Sequence, residues 1–272
     1  MIEKIPITIT RQLANAVNQF FIYNYFKWYG NSLSPLEVAV ERDNLELCKY
    51  VISKTSNKNP TMMFNGDTIL HKAAMQGNLE VCILIIEKIE DKNPNNFDGE
   101  TPLHKAAMNG NLDICRLIVD SIEDKNPADH NGKTPLHEAA KRGHLNICKL
   151  IFANGKEKNP PDSFRCTPLH LAVRFDHWDV CKFIIKNVED KNPTNNIGWT
   201  PLHKAAEEGR FDICKLIIES VENKNPADNS GMTPLHLAEF RGHVDVCRLI
   251  SENIRDKNPE SSTEPDENMD WI

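Results

Sequence analysis

Eight cysteines and ten histidines are the side chains of this 272-residue sequence best able to hold a metal or attack a substrate. Seven of the cysteines form a series: Cys48, Cys82, Cys115, Cys148, Cys181, Cys214 and Cys247. Six histidines form another: His71, His104, His137, His170, His203 and His236. From Cys82 and His71 onward both series advance in steps of 33 residues. A step that long carries each residue into the next copy of a repeating unit. Packed helices lie about 8–10 Å apart, whereas zinc needs its sulfurs about 2.3 Å away and a disulfide needs Cα atoms within about 7 Å. Equivalent positions in adjacent copies meet neither demand. The cysteines therefore read as small apolar core residues, and seven unpaired thiols favour a reducing compartment, cytoplasmic or nuclear. Cys166 alone leaves the series and is the one candidate for a reactive thiol. The sequence holds no Gly-rich phosphate loop, Gly-x-Ser-x-Gly, His-Glu-x-x-His or Cys-x-x-Cys. The expectation is a chain that is not an enzyme and carries no cofactor and no metal.

The elements that place these side chains repeat with them. Thr-Pro-Leu-His occurs at 101–104, 134–137, 167–170, 200–203 and 233–236, after the variant Thr68-Ile69-Leu70-His71 and a degenerate copy, Ser34-Pro35-Leu36-Glu37. Thr101 suits a helix N-cap and Pro102 the first helical position, where its missing N–H costs nothing. Leu103, Ala106 and Ala107 continue one apolar face, and the alanines are small enough for close helix approach. Gly110 fits a left-handed position after the helix. Gly77, Gly143, Gly209 and Gly242 repeat it, while Asp43 and Asp176 replace it. Leu112, Cys115, Ile118 and Val119 then make the buried stripe of a second helix. Pro127 ends the segment, and Asn131-Gly132 marks a tight turn.

A 33-residue period carrying Thr-Pro-Leu-His-x-Ala resembles the ankyrin repeat over residues 34–259. The resemblance implies an all-α fold: an ankyrin-repeat solenoid of stacked helix-turn-helix units with β-turn or hairpin tips, its units starting at 34, 68, 101, 134, 167, 200 and 233. It also implies that the histidines bond to neighbouring backbone and turn groups. Some positions depart from the family. Its usual glycine after the second helix survives only as Gly155. Ile89, Ile122, Val188, Val221 and Ile254 take the place elsewhere, which predicts a different helix ending with an extra partial turn. Asp-Lys-Asn-Pro follows at 91–94, 124–127, 190–193 and 256–259, a habit the sequence alone does not explain. Arg165 stands where a tip glycine belongs, which predicts altered geometry at 163–166. Glu239 replaces the second alanine and suits a partial C-terminal cap.

The ends differ from the body. Residues 1–33 lie outside the repeat, and Leu13, Val17, Phe20, Phe21 and Tyr25 share one helical face. This reads as an N-terminal helical cap over the first unit, with a docking helix for a partner as the alternative. Residues 260–272 read as an acidic disordered tail, with a short docking motif at Met269-Asp270-Trp271-Ile272 as the alternative. The whole chain has net charge −7; the tail holds five acids and no Lys or Arg, so the body is close to neutral. A neutral body lacks the basic footprint of a nucleic-acid binder. No apolar stretch is long enough to cross a membrane, and the start lacks the pattern of a signal peptide.

If the interiors repeat, discrimination lies where the units differ. The resemblance implies partner contacts from the tip residues and from the two residues after Ala-Ala, on a concave side. Those positions are mixed around Phe64, Asn65, Met75, Phe97 and Met108. From 133 onward they become basic and apolar. Phe164, Phe175, Ile197, Trp199, Met232 and Phe240 are large apolar groups expected to be exposed, with Lys133, Lys141, Arg142, Arg165, Arg174 and Arg241 among them. Grouped exposed aromatics and arginines mark interaction surfaces. The alternative is packing that stiffens neighbouring turns. The functional expectation is a module, monomeric on its own, that binds an acidic and apolar segment of a protein or peptide. An adaptor that recruits a client to other machinery is the second reading, with the acidic tail as a device that occupies the basic stripe in cis.

Overall fold

The computed structural model describes residues 34–61 and 65–255. The expected N-terminal cap, the acidic tail and Phe64 lie outside these residues. The chain divides into two compact units, one through His130 and one from Asn131. Among the described residues the first unit holds α1 (Pro35–Glu41), α2 (Leu45–Lys54), α3 (Ile69–Gln76), α4 (Leu79–Ile86), α5 (Pro102–Asn109) and α6 (Leu112–Ser121). The second holds α7 (Pro135–Arg142), α8 (Leu145–Asn154), α9 (Pro168–Arg174), α10 (Trp178–Asn187), α11 (Pro201–Glu207), α12 (Phe211–Ile218), α13 (Pro234–Arg241) and α14 (Val244–Arg255). Within each unit, first helices pack on first helices and second on second: α3 on α5, α4 on α6, α9 on α7 and α11, α12 on α10 and α14.

Each first helix starts the same way for a local reason. Thr101, extended at φ −113° and ψ 166°, is the N-cap, and Pro102 occupies the first turn. The Thr101 N–H donates to His104 Nδ1 at 3.0 Å, closing a capping box in which histidine does the work of the usual Glu or Gln. With Nδ1 accepting, the ring proton sits on Nε2 and points to the next repeat. His71 donates there to Glu100 O at 3.0 Å, His137 to Cys166 O at 3.0 Å, His170 to Trp199 O at 3.1 Å and His203 to Met232 O at 3.2 Å. In the degenerate first copy Glu37 takes the box position, with its own amide donating to Ser34 Oγ at 3.2 Å.

The Asp-Lys-Asn-Pro segment is a joint between repeats. Asp91 Oδ1 accepts from the Asn93 amide at 3.0 Å, which shapes the turn. Asn93 Oδ1 accepts from the Leu103 amide at 3.0 Å, one of the orphan donors at the next helix start. Asn159 serves Leu169, and Asn192 serves Leu202, in the same way. The lysine folds back on the helix it follows: Lys125 Nζ donates to Val119 O at 2.6 Å, and Lys158 Nζ to Gly155 O at 2.8 Å. Lys58 and Lys92 cap their helices alike.

That cap corrects the expected helix ending at Ile122 and Val188, whereas at Ile254 the helix runs on to Arg255. No extra turn forms after α6 or α10, because Ile122 and Val188 are already extended, at ψ 160° and 154°. Gly155 is extended too, at φ −79°, so its left-handed freedom is unused. The terminal carbonyls are satisfied by a lysine, not by a glycine turn.

The tip at Arg165 is also unaltered. Arg165 adopts φ 58° and keeps the turn. Asp162 Oδ1 accepts from the amides of Phe164 and Cys166, both at 2.8 Å, as Asn195 does from Ile197 and Trp199. Successive tips are stitched by backbone bonds, from Ser163 N to Asn131 O, Asn196 N to Phe164 O and Asn229 N to Ile197 O.

Candidate functional site

The thiols and imidazoles are placed for structure. Cys48, Cys82, Cys115, Cys148, Cys181 and Cys214 are fully buried, and Cys247 is half-buried in the last described repeat. Burial pushes the Cys48 thiol up to about 11 and those of Cys82, Cys115, Cys148 and Cys214 up to about 12. Cys166 is half-buried; burial and then Asp162 raise its thiol, which opposes nucleophilic use. Burial depresses His71 and His203 and takes His170 down to about 4, so these rings stay neutral. Among the described residues no three His, Cys, Asp or Glu side chains gather to hold a metal. No helix there is long and apolar enough to cross a membrane.

All twelve residues expected to bind a partner lie in the second unit. The structure brings three of them together. Phe175 closes α9 and is 43% exposed. Lys141, from the end of α7, holds its Nζ 6.0 Å from the ring centre, and Arg174 holds its guanidinium 5.7 Å away. Arg142 is exposed beside Lys141 at the same helix end. Helix C-termini favour cations, which explains the local tolerance for this charge. None of Lys141, Arg142 and Arg174 forms an ion pair with a carboxylate among the described residues. Others do: Arg210 pairs with Asp176 at 2.9 Å and Arg241 with Glu207 at 2.6 Å.

Phe164 and Ile197 are exposed and occupy successive tips. Phe240 is 80% exposed, with the Arg241 guanidinium 5.8 Å from its ring. Trp199 and Met232 are half-buried rather than exposed. The Trp199 indole donates to Asp228 Oδ2 at 2.9 Å and its ring stacks on His203, so it joins two repeats. Burial works against the Asp228 charge. Ser230, the Met232 amide and Trp199 nevertheless hold its carboxyl below the usual range. Arg165 lines a groove with Glu157, Glu189 and Asp190, an acidic setting. Lys133 is half-buried in the turn before α7.

The bonds between tips set which tip residues correspond. Phe97 N bonds to Asn65 O and Asn196 N to Phe164 O, so Phe97 corresponds to Ser163, not to Phe164. Phe97, 67% exposed, lays its ring over Gly66 of the preceding tip. A second apolar series lies outside the residues expected from the sequence: Trp178, Phe211 and Val244, all exposed, begin α10, α12 and α14. Lys182 Nζ lies 4.5 Å from the Trp178 ring. The signal was available, since these positions continue the spacing of Leu79, Leu112 and Leu145.

A sequence model for ankyrin repeats, three copies per block, matches overlapping stretches at 11–96, 36–129, 88–162, 119–195 and 169–261. Among solved structures the human ASB11 ankyrin repeat domain is similar, with TM-score 0.69 and 24% identity over 80% of this chain and 98% of that one. Comparison with curated proteins found no match.

Proposed function

The chain belongs to the ankyrin-repeat family, whose repeats serve generally as protein-interaction modules, and from that premise we propose that it is a non-enzymatic module binding an acidic, apolar segment of a partner protein at the Phe175 cluster. One observation carries the reading. An exposed phenylalanine sits between two cations from adjacent repeats, and neither cation is neutralised by a carboxylate among the described residues. A partner carboxylate would find charge there, and a partner apolar group would cover the ring. A cation on an aromatic face contributes about 0.5–1 kcal/mol while exposed and more once water leaves. Phe164, Ile197 and Phe240 would extend the contact along the same unit, with Lys133, Arg142 and Arg165 around it. Trp199 and Met232 would support it from the turns. Six buried, unpaired thiols fit work in a reducing compartment, the cytosol or nucleus.

Peptide display against the whole chain tests this. Enriched peptides should combine Asp or Glu with Leu, Phe or Trp, and should lose binding on Phe175→Ala. Enrichment of basic peptides, or retention by the variant, would refute it.

A second reading, an adaptor, is favoured by Trp178, Phe211 and Val244. They offer apolar surface on second helices, separate from the first-helix cluster. A paired variant, Trp178→Ala with Phe211→Ala, would then lose one partner and keep the display-selected peptide.

A further inference from the structure

We propose that residues 256–272 of this same chain occupy the Phe175 cluster in cis, so that an external segment must displace them. This rests on the binding role assigned to that cluster. Three observations support it. First, Lys141, Arg142 and Arg174 stand without a carboxylate partner among the described residues, whereas Lys72, Lys105, Lys204, Arg210 and Arg241 each have one. Among the cations in the last turn of a first helix, Lys204 and Arg241 are thus neutralised, and these three are not.

Second, the chain itself supplies matching chemistry. Glu260, Glu264, Asp266, Glu267 and Asp270 follow Lys257 with no further Lys or Arg, and Met269, Trp271 and Ile272 are large and apolar. The segment is acidic and apolar, the composition the cluster would select. In that contact the carboxylates would face the three cations, and a large apolar side chain would cover the Phe175 ring.

Third, the reach suffices. The described residues end at Arg255, the end of α14, and Phe175 belongs to the second repeat before it. Stacked helices are about 10 Å apart, so roughly 20 Å must be crossed between repeats, plus the length of a helix. The fifteen residues from Asp256 to Asp270 extend to about 50 Å at roughly 3.3 Å each. A tether this short gives an effective concentration in the millimolar range. A contact with Kd near 1 mM between separate molecules would therefore be about half occupied within one. The tail need not bind tightly to compete with a weak partner, and its occupancy falls as salt screens the exposed charges.

The test uses the full-length chain and a fluorescent synthetic peptide of residues 258–272. A variant neutralises the tail in place: Glu260→Gln, Glu264→Gln, Asp266→Asn, Glu267→Gln and Asp270→Asn. Fluorescence anisotropy at low salt should show the peptide binding this variant at least about twofold more tightly than it binds the native chain. Adding Arg174→Glu to the variant should weaken binding tenfold or more, with an unchanged melting temperature. Equal affinity for native and neutralised chains would overturn the proposal, as would indifference to Arg174→Glu. The display-selected peptide separates the two claims. If it binds in a Phe175-dependent way with equal affinity for both chains, the cis contact is wrong and the binding role stands. If it ignores Phe175, the binding role falls, and the cis proposal with it.

Discussion

Lys141 Nζ lies 6.0 Å from the centre of the Phe175 ring, one residue ending the first helix of its repeat and the other ending the next. The contact crosses between repeats but leaves the ring open on its outer side. Trp199 is the contrasting case, tied to Asp228 at 2.9 Å and half-buried. The two aromatic residues should therefore separate under mutation. Phe175→Ala should cost less than about 1 kcal/mol in urea unfolding, the range of surface changes. Trp199→Ala removes a hydrogen bond and packing between repeats, and should cost about 2–3 kcal/mol. Equal losses would mean that Phe175 is a structural residue.

The turn between first and second helices depends on side-chain room as well as backbone sign. Gly143 has φ 75°, and a Cβ there would stand 2.5 Å from His177 Nδ1. Gly242, at the same turn in a later repeat, has φ 76° with nothing within 4 Å. Gly242→Ala should cost only the left-handed strain, about 1–2 kcal/mol. Gly143→Ala should cost at least about 1 kcal/mol more, because His177 must also give up its bond to Lys141 O. Matched thermal melts of the two variants decide it.

Lysine caps predict an asymmetry between neighbours. Lys158 donates to Phe152 O and Gly155 O and lies 5.1 Å from the Phe152 ring. Lys158→Met should destabilise by about 2–3 kcal/mol, since the charge-assisted bonds go and the carbonyls lose their donor. Lys156 is exposed in the same loop, and Lys156→Met should stay within about 0.5 kcal/mol. Denaturant titration of both would show whether the motif is a joint or a passive linker.

The histidine ladder predicts an acid slope. His170 is neutral when folded, its pKa pushed by burial to about 4, while an unfolded histidine takes a proton near 6.5. Between those values the unfolded state binds more protons, so stability falls as pH drops from about 6.5 to 4. At about 1.4 kcal/mol per unit, His170 alone withdraws on the order of 3 kcal/mol across that window. His71 and His203 are shifted the same way by burial and add to it. His170→Gln, which can still close the capping box, should flatten the slope of unfolding free energy against pH. An unchanged slope would place the acid sensitivity elsewhere.

The fold was legible in the sequence because its signals are local or periodic. Thr101-Pro102-Leu103-His104 states its own helix start, and the cysteine spacing states which face is buried. What stayed hidden acts across space. The lysine of Asp-Lys-Asn-Pro reaches back six residues to a carbonyl, which no periodicity reveals. Asp176 and Arg210 replace a glycine and a histidine together, since the carboxylate at φ 62° needs a donor from the next repeat where Gly143 needs only room for a ring. The candidate surface was legible in composition but not in exposure. Trp199 looked open until its indole found Asp228. Arg241 looked cationic until Glu207 neutralised it.

Charge exchange across the Phe175 cluster is the most direct measurement of the account. A display-selected acidic peptide is titrated by calorimetry into the native chain and into Arg174→Glu, alongside the same peptide with its acids changed to lysine. The account predicts at least tenfold weaker binding of the acidic peptide to Arg174→Glu, recovered in part by the lysine peptide. Undiminished binding of the acidic peptide to Arg174→Glu would contradict it.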